Sequence, residues 1–168
     1  MGESYLFDNV WYIPGPEWFK CYIKRQLNDI YRQKWSSDIA NNSTCISYRL
    51  MTEEKKLQNY FKLPRQYMYA ICQFKCANSK IPVIMGRYSN KPLNDRTCTL
   101  CDSNVLGDEF HSLFQCPKFH DERITYIKRY IYQYPNVPKM NYLFNKSNNK
   151  ELLKLAKFIY IIMQEFKN

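Results

Sequence analysis

The sequence predicts a mainly α-helical fold that is interrupted by a short insertion rich in cysteine and histidine. The chain has 168 residues, of which 45% are hydrophobic and 17% aromatic, a composition that is sufficient for a buried core. Apolar residues recur at helical spacing near both ends of the chain. Between them, residues 96–123 contain three cysteines and both histidines. The length fits one domain, or one domain with a small appended module.

The first helix is predicted to follow the Pro-Gly-Pro sequence at residues 14–16. The polar stretch 36–45 is predicted to end this helix, and a weaker helix is predicted over 52–63, where Thr52 suits the N-cap. An apolar stripe at helical spacing runs along the first helix: Phe19, Ile23, Leu27, Ile30 and Tyr31, with Trp35 one turn later.

Pro64 is predicted to begin the next helix, which Asn78 and Ser79 would end. Its apolar positions are spaced by four and three residues and are expected to be core: Tyr67, Ile71 and Phe74. The following residues, 81–95, are predicted to be extended or looped because they contain three residues that oppose a long helix: Pro82, Gly86 and Pro92.

Three helices are predicted in the C-terminal half of the chain. Asp108 could cap a short helix over 109–116. A second helix is predicted over 117–134, since Pro117 suits its first turn and Pro135 and Pro138 would break it. The last helix is predicted over 148–166 from its apolar stripe: Leu152, Leu155, Ala156, Ile159, Ile162, Met163 and Phe166.

The sequence carries no signal for a membrane or for secretion. No apolar run approaches the roughly 18 residues that a membrane-spanning helix needs. The N-terminal residues fit neither a signal peptide nor a myristoylation pattern. We therefore expect an intracellular protein, nuclear or cytoplasmic, with no membrane partner. In a reducing compartment its seven cysteines are expected to be free thiols or metal ligands.

Four of the cysteine and histidine residues have the spacing of a metal site. Cys98 and Cys101 are separated by two residues, and His111 and Cys116 by four, all within 19 residues. Two cysteines at this spacing can meet one ion in a tight turn, and a helix can supply the second pair. Four such ligands close a tetrahedral zinc shell, which leaves no position for activated water, so the zinc is predicted to be structural. The alternative is a set of unligated core thiols.

Other cysteines and histidines are weaker candidates for this site. His120 lies four residues beyond Cys116 and is predicted to be a surface residue. Cys72 and Cys76 lie one helical turn apart and are predicted to be small buried thiols. The organisation that follows is a helical region at 1–80, a zinc-binding segment at 81–123 and C-terminal helices at 124–168, expected to form one compact unit.

The positive charge is concentrated before the metal motif. The chain has 25 lysines and arginines against 15 acidic residues, a net charge of +10. From Lys62 to Arg96 there are seven basic residues and a single acid, with aromatic residues interleaved. Basic side chains neutralise phosphates and aromatic rings stack on bases, so this run predicts contact with RNA or DNA. The alternative is a solvated basic face above aromatic residues that belong to the core.

The connecting segment before the zinc motif holds the best candidates for phosphate contacts. They are Lys80, Arg87, Lys91 and Arg96. Neither arginine lies on an apolar face, so the fold is expected to survive their replacement. The sequence contains no Gly-rich phosphate loop, no Gly-x-Ser-x-Gly and no His-Glu-x-x-His. We therefore predict no catalytic residues and no enzymatic activity.

Residues 74–123 resemble the C-terminal CCHC-type zinc-binding region of non-LTR (LINE-like) retrotransposon reverse transcriptases. The resemblance is carried by a Gly-Arg step, an Arg-x-Cys-x2-Cys, an Asp-Glu-x-His and a Cys-Pro: Gly86-Arg87, Arg96, Cys98, Cys101, Asp108, Glu109, His111, Cys116 and Pro117. More loosely it covers residues 17–168, whose first helices resemble the thumb-to-linker helices of that family.

The resemblance implies a module that contacts template RNA and target DNA and that follows a polymerase domain. The polymerase motif Tyr-x-Asp-Asp of that family is absent from this chain. The expected function is therefore a zinc-stabilised nucleic-acid-binding module without a polymerase or endonuclease active site. Two alternatives stay open: a protein–protein interaction module with a structural zinc, and a non-functional retrotransposon relic.

Overall fold

The computed structural model describes residues 15–42, 46–52, 59–146 and 148–167. In these ranges the backbone is mainly helical, and extended backbone pairs only at an isolated bridge between Thr97 and Leu106. The prediction of a mainly helical chain with a small Cys/His insertion is confirmed. None of the helices in the described ranges is both long and apolar enough to cross a bilayer.

The chain divides into two compact units, Met1–Asn41 and Asn42–Asn168. The described part of the first unit is essentially one helix, α1 (Pro16–Asn41). It begins where the Pro-Gly-Pro sequence predicts. The predicted break beginning at residue 36 is wrong, because the helix continues to Asn41. No residue of α1 is buried, and Trp18 and Tyr22 stack on each other with ring centroids 5.2 Å apart.

Seven α-helices and several shorter turns make up the described part of the second unit. The α-helices are α2 (Ile46–Met51), α3 (Arg65–Lys75), α4 (Pro82–Tyr88), α5 (His120–Tyr126), α6 (Arg129–Tyr132), α7 (Val137–Phe144) and α8 (Asn149–Glu165). Three 3-10 turns, Asn59–Lys62, Leu93–Asp95 and Pro117–Phe119, and a π turn, His111–Gln115, connect them. The helix predicted over 52–63 lies largely outside the described residues, and its described end is a 3-10 turn.

The core of the second unit forms around α8, which packs most extensively on α3 and also on α5 and α7. The predicted stripe of α8 is buried except for Phe166, which follows the helix and is partly buried. On α3, Ile71 and Phe74 are fully buried as predicted, and the Phe74 ring stacks on Phe144 of α7 at 6.2 Å between centroids. Burial of side chains of this size stabilises the fold by about 1.5–3 kcal/mol each.

Two further predictions of local structure are wrong. Residues 81–95, predicted to be extended or looped, form α4 and a 3-10 turn, because Pro82 occupies the first helical position, where a missing N–H costs nothing. The single helix predicted over 117–134 is interrupted at Ile127, whose side chain is buried and whose backbone is extended. Residues 137–144, for which no helix is predicted, form α7, whose first turn is capped by the side chain of Asn136.

Glu151 on α8 links two neighbouring segments through ion pairs. Its carboxylate binds Lys128, which precedes α6, and Lys146, which precedes α8, the latter at 2.7 Å. The Lys146 ammonium also lies 5.0 Å from the centroid of the Tyr142 ring. Hydrogen bonds from the two lysines lower the pKa of Glu151 from 4.5 to about 2.

We expect Glu151→Gln to lower the free energy of unfolding by about 0.5–1 kcal/mol at pH 7, a small effect because these side chains are partly exposed. Because the folded-state pKa is depressed, the contribution of Glu151 is complete above pH 4.5 and is lost as the pH falls towards 2. Urea unfolding at pH 7 and at pH 3 measures this contribution to the free energy of unfolding. Glu165→Gln, whose partner Lys118 is half-exposed, is the control and should change stability less. An equal loss in both variants at pH 7 would contradict this role.

Candidate metal centre

Cys98, Cys101, His111 and Cys116 come together in the second unit and could hold a metal ion. One ligand atom from each residue lies within 4.8 Å of every other. The Cys98 and Cys116 sulfur atoms are 3.9 Å apart, and the Cys101 sulfur is 3.4 Å from His111 Nε2. A tetrahedral ion with sulfur at ~2.3 Å and nitrogen at ~2.0 Å would hold these pairs about 3.8 and 3.5 Å apart. These two pairs are therefore spaced as a tetrahedral centre requires, and the other pairs lie within 4.8 Å.

A tight loop presents the first two cysteines. The bridge between Thr97 and Leu106 closes this loop, and the Cys98 N–H donates to Val105 O at 2.9 Å. Gly107, which follows the loop, lies in close contact with Cys98 and Pro82. A Cβ at this position would lie 2.9 Å from both Cys98 Cα and Pro82 Cβ. A larger residue at position 107 would therefore push against the backbone of a ligand residue.

A π turn presents the other two ligands. The Cys116 N–H donates to His111 O at 2.8 Å, an i→i+5 hydrogen bond. In an α-helix, residues five apart point about 140° away from each other, at 100° per residue. In an i→i+5 turn they lie one above the other. The spacing of four residues between His111 and Cys116 therefore requires the π turn if both are to reach one ion. Asp108 caps this segment as predicted, with Oδ1 accepting from the His111 N–H at 2.7 Å.

The environment favours the unprotonated, metal-binding form of His111 and Cys101 and opposes it in Cys98 and Cys116. Burial lowers the pKa of His111, which favours the neutral imidazole that a metal needs. Burial raises the pKa of Cys98 and, to about 12, that of Cys116, so a divalent ion must displace their protons. Burial opposes ionisation of Cys101 as well, but hydrogen bonds from Ser103 outweigh it and lower the pKa.

Arg123 on α5 supports the backbone of the π turn that carries two of the ligands, a role that the sequence did not indicate. Its side chain is 4% exposed, and its guanidinium donates to Leu113 O at 2.8 Å and to Cys116 O at 2.7 Å. No carboxylate among the described residues forms an ion pair with it. Three thiolates and a divalent ion carry a net charge of −1, so a buried cation beside them offsets that charge. No signal in the sequence distinguishes Arg123 from the other basic residues of α5 and α6.

The remaining candidate ligands lie outside this centre. His120 is exposed, as predicted. Cys72 is half-buried rather than fully buried, and Cys76 is exposed, so the prediction of two buried thiols is wrong for Cys76, which follows the last residue of α3. Cys21 is exposed on α1, and Cys45 lies outside the described residues.

Three of the four predicted phosphate contacts line one depression beside the metal centre. This cationic groove, of about 480 Å³, is lined by Lys80, Lys91 and Arg96, with Thr99 and Leu100 of the cysteine loop on its wall. It also contains two carboxylates, Asp95 and Glu165, the second of which pairs with Lys118. Arg87 lines a different cavity.

Arg96 is part of the fold rather than a free surface cation. Its guanidinium donates to Lys91 O at 2.7 and 2.9 Å and to Val83 O at 3.2 Å, which ties the segment after α4 back to that helix. Its side chain also packs over Gly86, where any Cβ would collide with it. Arg96 therefore lines the groove and supports the fold at the same time, and these hydrogen bonds use three of its five N–H donors.

The chain matches no protein-family model, no curated protein sequence and no solved structure.

Proposed function

We propose that the ion bound by Cys98, Cys101, His111 and Cys116 is zinc and that it is structural. Three thiolates and one imidazole are a soft donor set that favours zinc over the oxygen-seeking ions magnesium and calcium. Four protein ligands complete a tetrahedral shell, so water has no position to be activated. The zinc would fix the cysteine loop to the π turn, and through them the wall of the cationic groove.

We propose further that the protein is a nucleic-acid-binding module without an active site of its own. The observation that carries this is the grouping of Lys80, Lys91 and Arg96 along one groove whose wall is the cysteine loop. Cations grouped along one groove can neutralise several phosphates of one strand. Such contacts position a strand and carry little sequence information.

The resemblance to the C-terminal region of non-LTR retrotransposon reverse transcriptases is consistent with this proposal. In that setting the module would lie downstream of a polymerase domain and would hold RNA or DNA for it. The proposal places the protein in the nucleus or cytoplasm. It gives this chain no catalytic step.

Replacing Lys80 and Lys91 together with glutamine should weaken binding to every sequence alike. Each lost contact should reduce the slope of log affinity against log salt by ~0.7 on a single strand, so the pair should reduce it by about 1.4. Fluorescence anisotropy with a labelled RNA and a labelled DNA across a salt series measures both quantities. Arg96 is left intact because it supports the fold.

Lys150→Gln with Lys154→Gln is the matched control, since both lysines are exposed on α8 and the net charge changes equally. It should leave the salt slope within a few tenths of the wild-type value. Equal weakening by the two double variants would mean that only net charge matters. Binding that is indifferent to salt would remove nucleic acid from the proposal.

One observation favours the alternative of a protein–protein interaction module. Large apolar side chains on α1 are strongly exposed, including Trp18, Phe19 and Leu27 at 53%, 58% and 61%. Exposed apolar stripes of this kind mark surfaces that bind other proteins. A salt-independent result in the titration above, together with loss of self-association on changing Phe19 and Leu27 to serine, would favour this alternative.

A further inference from the structure

A second surface that combines basic and aromatic side chains lies on α6 and α7. Residues 128–146 contain four basic residues, four tyrosines and no acidic residue. Three of these tyrosines are strongly exposed: Tyr130 at 54%, Tyr134 at 73% and Tyr142 at 51%. The fourth, Tyr132, packs against the core. None of the three exposed tyrosines lines the cationic groove. We call these three exposed rings the tyrosine patch.

Contacts among side chains hold two rings of the tyrosine patch in place. Tyr130 lies on α6 and Tyr142 on α7, and the Tyr142 hydroxyl is a hydrogen-bond partner that raises the pKa of Tyr130. The Lys146 ammonium lies over the Tyr142 ring, 5.0 Å from its centroid, and is held there by the Glu151 carboxylate at 2.7 Å. Rings that are already positioned lose little freedom when a flat group packs on them, which favours binding.

The surroundings of the tyrosine patch carry a net positive charge. The basic residues of this segment are Lys128, Arg129, Lys139 and Lys146. Among the residues that the structure describes, Glu151 is the one acidic partner of these cations, so three positive charges are left over. Lys139 donates to Tyr134 O at 2.7 Å, which places its ammonium beside the patch. A purely apolar partner would take these cations out of water without compensation. A strand of nucleic acid offers phosphates to the cations and flat bases to the rings.

The tyrosine patch and the cationic groove are connected to opposite ends of α8. Glu151, in its first turn, pairs with Lys128 and Lys146, and Glu165, its last residue, lines the groove. The two glutamates are 14 residues apart on the helix, a distance of about 21 Å at 1.5 Å per residue. A stacked strand advances about 3.4 Å per nucleotide, so about six nucleotides cover this distance. A strand of about ten nucleotides is therefore long enough to reach both surfaces.

We propose that the tyrosine patch stacks unpaired bases of a single strand whose phosphates lie in the cationic groove. Every base has a π-face, so stacking of this kind tolerates any sequence. Bases inside a duplex already stack on each other, and the patch should therefore favour single strands over duplexes. This inference deepens the proposed function and rests on it, because it states which form of nucleic acid is bound and where its bases lie.

Changing Tyr130 and Tyr142 together to leucine should weaken binding of a labelled single strand of about ten nucleotides by about 10- to 100-fold, the effect of losing one or two stacked bases. The slope of log affinity against log salt should stay within a few tenths of the wild-type value, because no phosphate contact is removed. The variant should bind a duplex of the same sequence, and an abasic strand of the same length, as the wild type does. Fluorescence anisotropy across a salt series measures all three ligands.

Tyr130→Phe with Tyr142→Phe is the matched control, since it keeps both rings and removes only the hydroxyl groups. It should bind the single strand within about two-fold of the wild type, because stacking uses the face of the ring. NMR of the wild-type protein gives a readout that does not depend on any variant folding. The ring signals of Tyr130 and Tyr142 should shift when the single strand is added and stay in place with the abasic strand.

Three results would overturn the inference. Unchanged single-strand affinity in the leucine variant, or equal weakening by the leucine and phenylalanine variants, would mean that the rings do not stack on bases. Ring signals that stay in place while the single strand binds would leave the patch as a surface for a protein partner. In each case a reduced salt slope in Lys80→Gln/Lys91→Gln would leave the groove proposal standing, whereas salt-independent binding by the wild type would remove both proposals.

Discussion

Changing Cys101 to serine is expected to lower zinc affinity about 100- to 1,000-fold. Structural zinc sites in small peptides bind with about 10–16 kcal/mol, so one of four ligands contributes about 3–4 kcal/mol, and each 1.4 kcal/mol is a factor of ten. Cys101 is the suitable position because it is half-buried and its loss creates little cavity. Competition with a chromophoric chelator measures the affinity. Cys21→Ser, exposed on α1, is the control and should bind one equivalent as the wild type does.

The structural consequence of that change should be local. The proposed ion would link the cysteine loop to the π turn, whereas α8 is held by its own stripe against α3 and α5. Amide exchange should therefore quicken over residues 96–119 and stay slow over the buried turns of α8. A variant in which α8 loses amide protection together with the loop would contradict this prediction. So would a protein that carries no metal when purified.

Changing Arg123 to methionine is expected to lower zinc affinity about 10- to 100-fold, the range seen when groups that support metal ligands are removed. Two effects contribute. The carbonyls of Leu113 and Cys116 lose their donors in a buried environment, and the centre loses the cation that offsets its net charge. The first effect should also lower the stability of the metal-free protein by about 1–3 kcal/mol.

Arg123→Lys separates these two effects, because lysine keeps the charge and loses the two-point donation. We expect it to recover most of the zinc affinity but not the stability of the metal-free protein. Arg129→Met, an exposed arginine on α6, is the control. Chelator competition and urea unfolding without metal give the two readouts. Zinc affinity equal to wild type in Arg123→Met would show that the guanidinium only braces the π turn.

The sequence predicts those parts of the fold whose determinants are local. The stripe of α8 spans many turns, and its helical period leaves no competing interpretation. The four ligands lie within 19 residues, so their spacing alone brings them together. Asp108 caps the segment that follows it, as its position before Glu109 indicates. In each case the deciding contacts join residues that are close in the sequence.

The parts that sequence reasoning missed depend on tertiary packing that no spacing or propensity pattern records. Gly86 opposes a helix by propensity, yet it is needed inside α4 because the Arg96 side chain packs over it. The guanidinium of Arg96 is directed by carbonyls of Lys91 and Val83, which no charge pattern indicates. Ile127 interrupts a periodic segment because its side chain is buried in the core. These features become visible only when the chain is folded.

The π turn at His111–Gln115 also bears on how related centres should be recognised. A turn with an i→i+5 hydrogen bond is an α-helical turn that has gained one residue, and the extra residue is absorbed without displacing the ligand atoms from each other. A chain without that residue would present histidine and cysteine from an ordinary α-helix at a spacing of three intervening residues. The same arrangement of ligands can therefore be encoded with three or with four intervening residues, and a sequence pattern that requires four would miss the centres that have three.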